Sequence, residues 1–272
     1  MIPVLEVGPL PIPTHDLFVV LGVATALVVL WARSRGPGRD PNLPALVAGG
    51  LLTGALFAKL GTGWQYLASA DDPTLLGLWL YGGQSVLAGL AGAYLGVVVT
   101  KRLVGYKGST GDWFAPAVAA GLAVGRIGCF LTEQVGTPTT LPWGITVSPE
   151  VAATMPYCPS CASGLPMHPS FLYEVGFHVI AFVLLVRHGG RIGQPGDSFK
   201  IYLLAYAVFR FGLEFVRDNP AMMFGLSGSQ LFILVTVPVA IIIYRRRSRQ
   251  VEFGVGLAQP VGVEGAGSAR GD

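Results

Sequence analysis

The sequence is short of charge. Asp, Glu, Lys and Arg make up only 12% of its 272 residues, while 52% are hydrophobic. A solvated globular surface takes about a quarter of its residues from the charged set, so this composition excludes an ordinary soluble domain. Cysteine is nearly absent, and three residues cannot build the disulfide framework of a small secreted scaffold. Basic excess is small too: the net charge of +3 falls far below the electrostatic footprint of a nucleic-acid-binding protein, and no nucleic-acid partner is expected. No internal repeat is visible, which argues against a small transporter built from two related halves.

What the chain has instead is long apolar runs, with a mean hydropathy of +0.59. A hydrocarbon core about 30 Å thick is crossed by about 20 apolar residues in helix. Seven stretches approach that length: 16–32, 44–67, 77–100, 113–131, 169–186, 200–216 and 229–244. They predict an all-α integral membrane fold of seven transmembrane helices, occupying 1–250 together with its loops. Lysine and arginine follow the odd-numbered spans: Arg33, Arg35 and Arg39; Lys101, Arg102 and Lys107; Arg187 and Arg191; Arg245, Arg246, Arg247 and Arg249. The opposite loops hold only Arg217, beside Asp71, Asp72 and Asp218. Because cytoplasmic loops retain positive charge, the amino terminus is expected outside and the carboxyl terminus inside.

The opening MIPVLEVGPLPIPTHD has no basic n-region and no small-residue cleavage site after a short apolar core, so no cleavable signal peptide is expected there. The Gly- and Ala-rich residues 251–272 show no helical period and read as a disordered cytoplasmic tail. Residues 132–167, dense in Pro, Gly and Thr, form the one long outside loop, a small extracytoplasmic head. It contains Cys158 and Cys161. A lone CxxC with only His168 nearby fits a local disulfide or free thiols better than a metal centre, and no metal is expected.

Ionisable residues inside membrane segments are costly and mark function by default. Arg126 stands in GRIGCFLTEQVG, among Gly121, Gly125 and Gly128. It either snorkels to the interface or serves a function, among glycines that let helices or a lipid headgroup come close. In YAVFRFGLEFVRD, Tyr206, Arg210, Glu214 and Arg217 share one helix face. An internal Arg–Glu pair would explain that face. Two arginines on different helices also match a phosphate fork, and they are expected to line one cavity with Glu214 beside Arg210 or Arg217. His168 opens HPSFLYE as a cap or a catalytic base, with Pro169 in the first turn and Glu174 and His178 four residues apart on the same helix. Tyr81, Gly82 and Gly83 begin a run of small residues that helix packing explains.

Together these elements resemble the prolipoprotein diacylglyceryl transferase family of bacterial membrane enzymes. The resemblance spans nearly the whole chain and runs in order through YGG, DWFAPAVAAGLAVGRIGCF, HPSFLYE, YAVFRFGLEFVR and GSQL. It implies transfer of the diacylglyceryl group of phosphatidylglycerol to the lipobox cysteine of prolipoprotein signal peptides, in lipoprotein biosynthesis at the bacterial inner membrane. It implies Arg210, His168, Tyr81 and Tyr206 as catalytic residues. The substrate-binding set would be Arg126, Gly125, Gly128, Glu133, Gly136, Gly82, Gly83 and Glu214. Membrane lipid is the expected environment, the expected state is a monomer, and no cofactor is called for. Tyr81 stands where the family usually has His, Cys129 where it has Asn, and Met167 where it has Arg. A relative that binds anionic lipid without transferring it fits those changes, and so remains the alternative.

The reaction implied needs a thiol of pKa about 8.5 to lose its proton and a departing phosphate to be held by fixed charge. Arg126 and Arg210 suit the second task. For the first, His168 and Tyr81 are the candidate bases, and nearby positive charge itself favours the thiolate. The charge asymmetry of the loops is checked by labelling: a Thr139→Cys variant freed of competing native thiols should react with an impermeant thiol reagent in intact cells. Labelling only after the membrane is broken would contradict the orientation.

Overall fold

The structure is a computed structural model and describes residues 4–7, 10–34, 41–69, 74–81, 83–133, 135–153, 161, 164–191, 193–219 and 221–256. The main helices are α1 (Thr14–Arg33), α2 (Leu43–Ser69), α3 (Leu75–Tyr81), α4 (Val86–Leu103) and α5 (Gly111–Thr132). After a short α6 (Pro149–Ala152) come α7 (Ser170–His188), α8 (Asp197–Leu213) and α9 (Gly228–Gly256). Among the described residues each of the seven apolar stretches falls mainly on helix. Five segments are long and apolar enough to cross a membrane: α1, the Leu43–Gly63 part of α2, α4, α5 and α7. α8 has 17 residues and carries Asp197, Lys200 and Arg210, while the described apolar part of α9 is Gly228–Ile242.

Two boundaries differ from those read off the sequence. The third stretch is not one helix but α3 followed by a break and α4. The cause is local: Gly83 lies outside helix, and Ser85 caps the new one by accepting from the Ala88 amide at 3.2 Å. At the other end α9 runs to Gly256, past the expected tail boundary, and residues 257–272 lie outside the described ones. Among the described residues three two-stranded antiparallel pairs also qualify the all-α description: β1–β2 (Val4–Val7 with Leu10–Pro13), β3–β4 (Ile145–Thr146 with Pro166–Met167) and β5–β6 (Ala221–Met223 with Leu226–Ser227).

The packing inverts that of a soluble domain. Of the apolar window of α1 only 11% is buried, against 44% for α5, which makes α5 the central helix. Val20, Leu52, Ile180, Val208 and Val235 are exposed, whereas Arg126, Glu174, His178, Arg210 and Glu214 are buried. Lipid is as apolar as leucine, so helices in it associate through close contact of small residues rather than through burial of oil. The contact of α1 with α5 shows this: a Cβ on Gly22 would come within 2.7 Å of the Gly121 carbonyl oxygen, and one on Gly121 within 2.8 Å of the Gly22 oxygen. Gly128 continues the seam, where a Cβ would meet that of Phe18 at 2.5 Å. Gly54, Gly89 and Gly92 make the corresponding close approach between α2 and α4.

α5, α7 and α8 form the other contact group. Their shared core is Ala115, Ala119, Leu185, Phe199 and Tyr202. α5 and α8 start side by side, because the Gly196 amide donates to the Asp112 carboxylate at 2.8 Å. They therefore run in the same direction, and the carboxyl-terminal ends of both lie near the start of α7. Beyond that end sits the head, with a core of Val135, Val147, Ala152, Cys161 and Met167. Cys161 is disulfide-bonded and Cys129 is a free buried thiol, while Cys158 lies outside the described residues.

The helix seam gives a direct test. A Gly121→Val variant forces α1 away from α5 and is expected to cost about 1–3 kcal/mol. Thermal unfolding in detergent micelles should show a clearly lowered midpoint, with Gly125→Ala, where a Cβ meets nothing within 4 Å, close to the parent.

Candidate functional site

Glu174, in the second turn of α7, has no exposed surface. Such a carboxylate persists in an apolar interior only if cations and donors surround it. Three elements supply them. From α5, Arg126 brings its Nε within 2.7 Å of Glu174 Oε2. From α8, the Tyr206 hydroxyl donates to the same oxygen at 2.8 Å, and Arg210 Nε stands 3.8 Å from Oε1. From the segment after α8, Arg217 Nη1 donates to Oε1 at 2.9 Å. Arg126 Nη2 in turn donates to the Tyr206 hydroxyl at 3.1 Å, which closes a ring of Arg126, Tyr206 and Glu174. The described part of the cluster thus counts three guanidinium groups against two carboxylates, Glu174 and Glu214.

Glu214 holds the far side. It pairs closely with Arg210 one turn back, and its other oxygen accepts from Asn219 Nδ2 at 2.8 Å. The face predicted from the 206, 210, 214, 217 spacing is therefore real. Glu214 does not close off Arg210 by itself, since Glu174 shares that guanidinium. The Phe171 ring, one turn before Glu174, stacks 4.3 Å from the Arg217 guanidinium carbon and 5.8 Å from that of Arg126. Below Glu174, His178 accepts or donates at Nδ1 to the Tyr202 hydroxyl at 3.0 Å, and its ring lies 4.7 Å from that of Tyr206. A polar cleft of about 250 Å³, lined by Glu133, Val135, Arg217, Asp218 and Asn219, opens beside the cluster.

The head is fastened to this end of the bundle by backbone. The Gly136 amide donates to the His168 carbonyl at 2.8 Å, the His168 amide to the Thr137 carbonyl at 2.9 Å, and the Thr137 amide to the Val216 carbonyl at 2.9 Å. Gly136 is glycine because a Cβ would run into the Val216 carbonyl and lie 3.0 Å from the His168 Cβ. The His168 ring turns to Tyr173, with Nδ1 3.1 Å from its hydroxyl, and that hydroxyl also accepts from Trp143 Nε1 at 2.8 Å. Met167 is wholly buried in the core of the head. Met167, where the resemblance would put an arginine, packs the head.

The remaining residues singled out from the sequence are distributed unevenly. Gly125 faces open space, while Gly128 is consumed in the approach of α1. Glu133 caps α5, its amide donating to the Cys129 carbonyl at 2.7 Å, and its side chain lines the cleft. Cys129 is buried, 3.7 Å from Arg126 Nη1. Gly83 accepts from the Thr62 hydroxyl of α2 at 2.6 Å. The Tyr81 side chain and Gly82 lie outside the described residues. Sequence reasoning missed Glu174 as the centre. The signal was present, an acidic residue inside an apolar helix, but its three cationic partners come from other segments.

Comparison with known proteins follows the same lines. The family model described as prolipoprotein diacylglyceryl transferase matches residues 3–246. Curated relatives named phosphatidylglycerol–prolipoprotein diacylglyceryl transferase include that of Frankia alni, 28% identical over 94% of this chain and 71% of the relative. That of Mycobacteroides abscessus is 31% identical over 81% of this chain and 69% of its own. That of Bordetella bronchiseptica is 31% identical over 84% and 86% respectively.

Removing one partner of a buried ion cluster leaves the others uncompensated, at a cost of about 3–5 kcal/mol. Glu174→Ala is therefore expected to lower stability by that order, measured as the thermal unfolding midpoint in detergent. Glu174→Asp, which keeps the charge, should recover part of the loss. If Glu174→Ala matches the parent, the carboxylate does not hold the three arginines together.

Proposed function

The chain belongs to the prolipoprotein diacylglyceryl transferase family, and from that premise we propose how its buried cluster serves the reaction. The protein transfers the diacylglyceryl group of phosphatidylglycerol to the lipobox cysteine thiol of a prolipoprotein and releases glycerol phosphate. In this reaction the thiolate sulfur attacks a glycerol carbon, an S–C bond forms, and the C–O bond to phosphate breaks with its electron pair leaving on the phosphate oxygen. Charge thus gathers on phosphate as the bond breaks, and fixed cations in a site of low dielectric stabilise that change most.

The observation that carries this reading is the convergence of Arg126 and Arg210 on one buried carboxylate, with Arg217 behind them. The phosphate of the lipid headgroup takes the face of Arg126 and Arg210 turned from Glu174, and Tyr206 keeps Arg126 in register. Gly125, with open space over its α-carbon, leaves room for the headgroup. Glu133, Gly136, Gly82, Gly83 and Glu214 complete the substrate-binding set. The thiol is drawn to its ionised form by the surplus of guanidinium charge, with His168 as helper and Tyr81 a lesser contributor.

The same reading extends to placement. Seven spans cross the inner membrane, with α8 and α9 as the sixth and seventh, the head outside and the carboxyl terminus inside. The protein acts as a monomer and takes the signal peptide from the lipid side.

Transfer of labelled diacylglyceryl from phosphatidylglycerol to a lipobox peptide tests the assignment. Arg126→Gln and Arg210→Gln should each lower the rate by about 10²–10³, the usual loss when one stabilising donor is removed. Tyr81→Phe removes only a hydroxyl and should cost less than about tenfold. An inactive Tyr81→Phe beside a near-normal Arg126→Gln would overturn the electrostatic account and make Tyr81 the proton acceptor.

A further inference from the structure

We propose that the outer end of the α1–α5 seam is a binding site for one divalent zinc ion, held by His15, Cys129 and Glu133. One donor atom from each of these side chains lies within 4.8 Å of the others, and His15 Nε2 is 3.5 Å from Glu133 Oε1. Two ligands of a tetrahedral zinc with bonds of about 2.0–2.1 Å stand about 3.3 Å apart, so the histidine–glutamate pair is already spaced for it. The arrangement follows from the fold. Cys129 and Glu133 are four residues apart at the end of α5 and share one face. His15 comes from the first turn of α1, and Gly128 lets that turn close in: a Cβ there would lie 3.5 Å from the His15 carbonyl oxygen and collide with Phe18.

The chemistry of the donor set suits zinc. A thiolate, an imidazole and a carboxylate form the mixed N, O and S set of borderline-soft divalent ions, and three protein ligands leave a fourth position for water. One thiolate and one carboxylate cancel the two positive charges of the ion. Outer partners are in place as well. Asp16 Oδ1 is 3.4 Å from His15 Nδ1 on the side away from Glu133, the carboxylate–imidazole arrangement that fixes a metal-ligating ring. Arg126 Nη1, 3.7 Å from Cys129 Sγ, can donate to the thiolate, and its charge is offset by Glu174. His15 and Glu133 are partly exposed and Cys129 is buried, so the ion enters from the outer face. Bound there, it fastens α1 to α5 one turn from Arg126. This goes beyond the transfer reaction, and it draws Glu133, one of the proposed substrate-binding residues, into the metal site.

Cobalt(II) replaces zinc in such sites and reports a thiolate ligand by its charge-transfer absorption. Titrating the purified protein in detergent with cobalt(II) should give that band at one ion per chain, with zinc displacing it and raising the thermal unfolding midpoint. Cys129→Ser should abolish the band. His15→Ala, at a partly exposed position, should weaken binding at least tenfold whether or not the cysteine variant folds. No band at saturating cobalt, a band that survives Cys129→Ser, or unchanged affinity in His15→Ala would each overturn the site.

Discussion

The structure turns on one carboxylate placed where water cannot reach it. An arginine at the centre of a membrane helix costs about 2.5–3.5 kcal/mol or more, and this protein gathers Arg126, Arg210 and Arg217 in one place. Glu174 makes that arrangement tenable by giving one oxygen to Arg126 and Tyr206 and the other to Arg210 and Arg217. The same carboxylate thereby fixes the ends of α5, α7 and α8 relative to each other. Within the cluster three guanidinium groups meet two carboxylates, while Glu133 and Asp218 line the neighbouring cleft beside Arg217. In the proposed reading Arg126 and Arg210 meet the phosphate of the lipid.

Everything around the cluster keeps this charge dry and in register. Small residues let α1 close on α5 and α2 on α4 at backbone distance, where the cohesion available in lipid is contact rather than oil burial. The head has a small core of its own and is stitched by main-chain hydrogen bonds to Val216, next to Arg217. His168 and Gly136 take part in that stitching. Their place in the sequence motifs is explained first by architecture, and any chemical role is built on it.

Much of this was legible in the sequence, for definite reasons. The apolar runs gave the helices, because bilayer thickness sets their length. The Tyr206, Arg210, Glu214 and Arg217 spacing gave a true helix face, since residues three and four apart share one side. Arg126 and Arg210 meet at Glu174 in the structure, while the cleft beside them is lined by Arg217 and by neither of the two. What the sequence hid was long-range. Glu174 showed only its i+4 neighbour, His178, whereas its arginine partners are 36 to 48 positions away in the chain. Gly128 read as clearance for either a helix or a headgroup, and the close approach it permits is that of α1. The break between α3 and α4 was hidden because its small residues also suit helix packing. Met167 looked like a lost arginine until its burial in the head showed what the position packs.

The central claim is that Arg126 and Arg210, drawn together by Glu174, form the phosphate seat. A structure of the protein with phosphatidylglycerol bound tests it most directly, through the position of one phosphorus atom. The account predicts that atom within about 4–5 Å of both guanidinium carbons, as direct hydrogen bonds to phosphate oxygens require, with Glu174 still paired to at least one of the arginines. A phosphate resting elsewhere, with Arg126 and Arg210 both turned wholly to Glu174 and Glu214, would show that the cluster only holds the helices together.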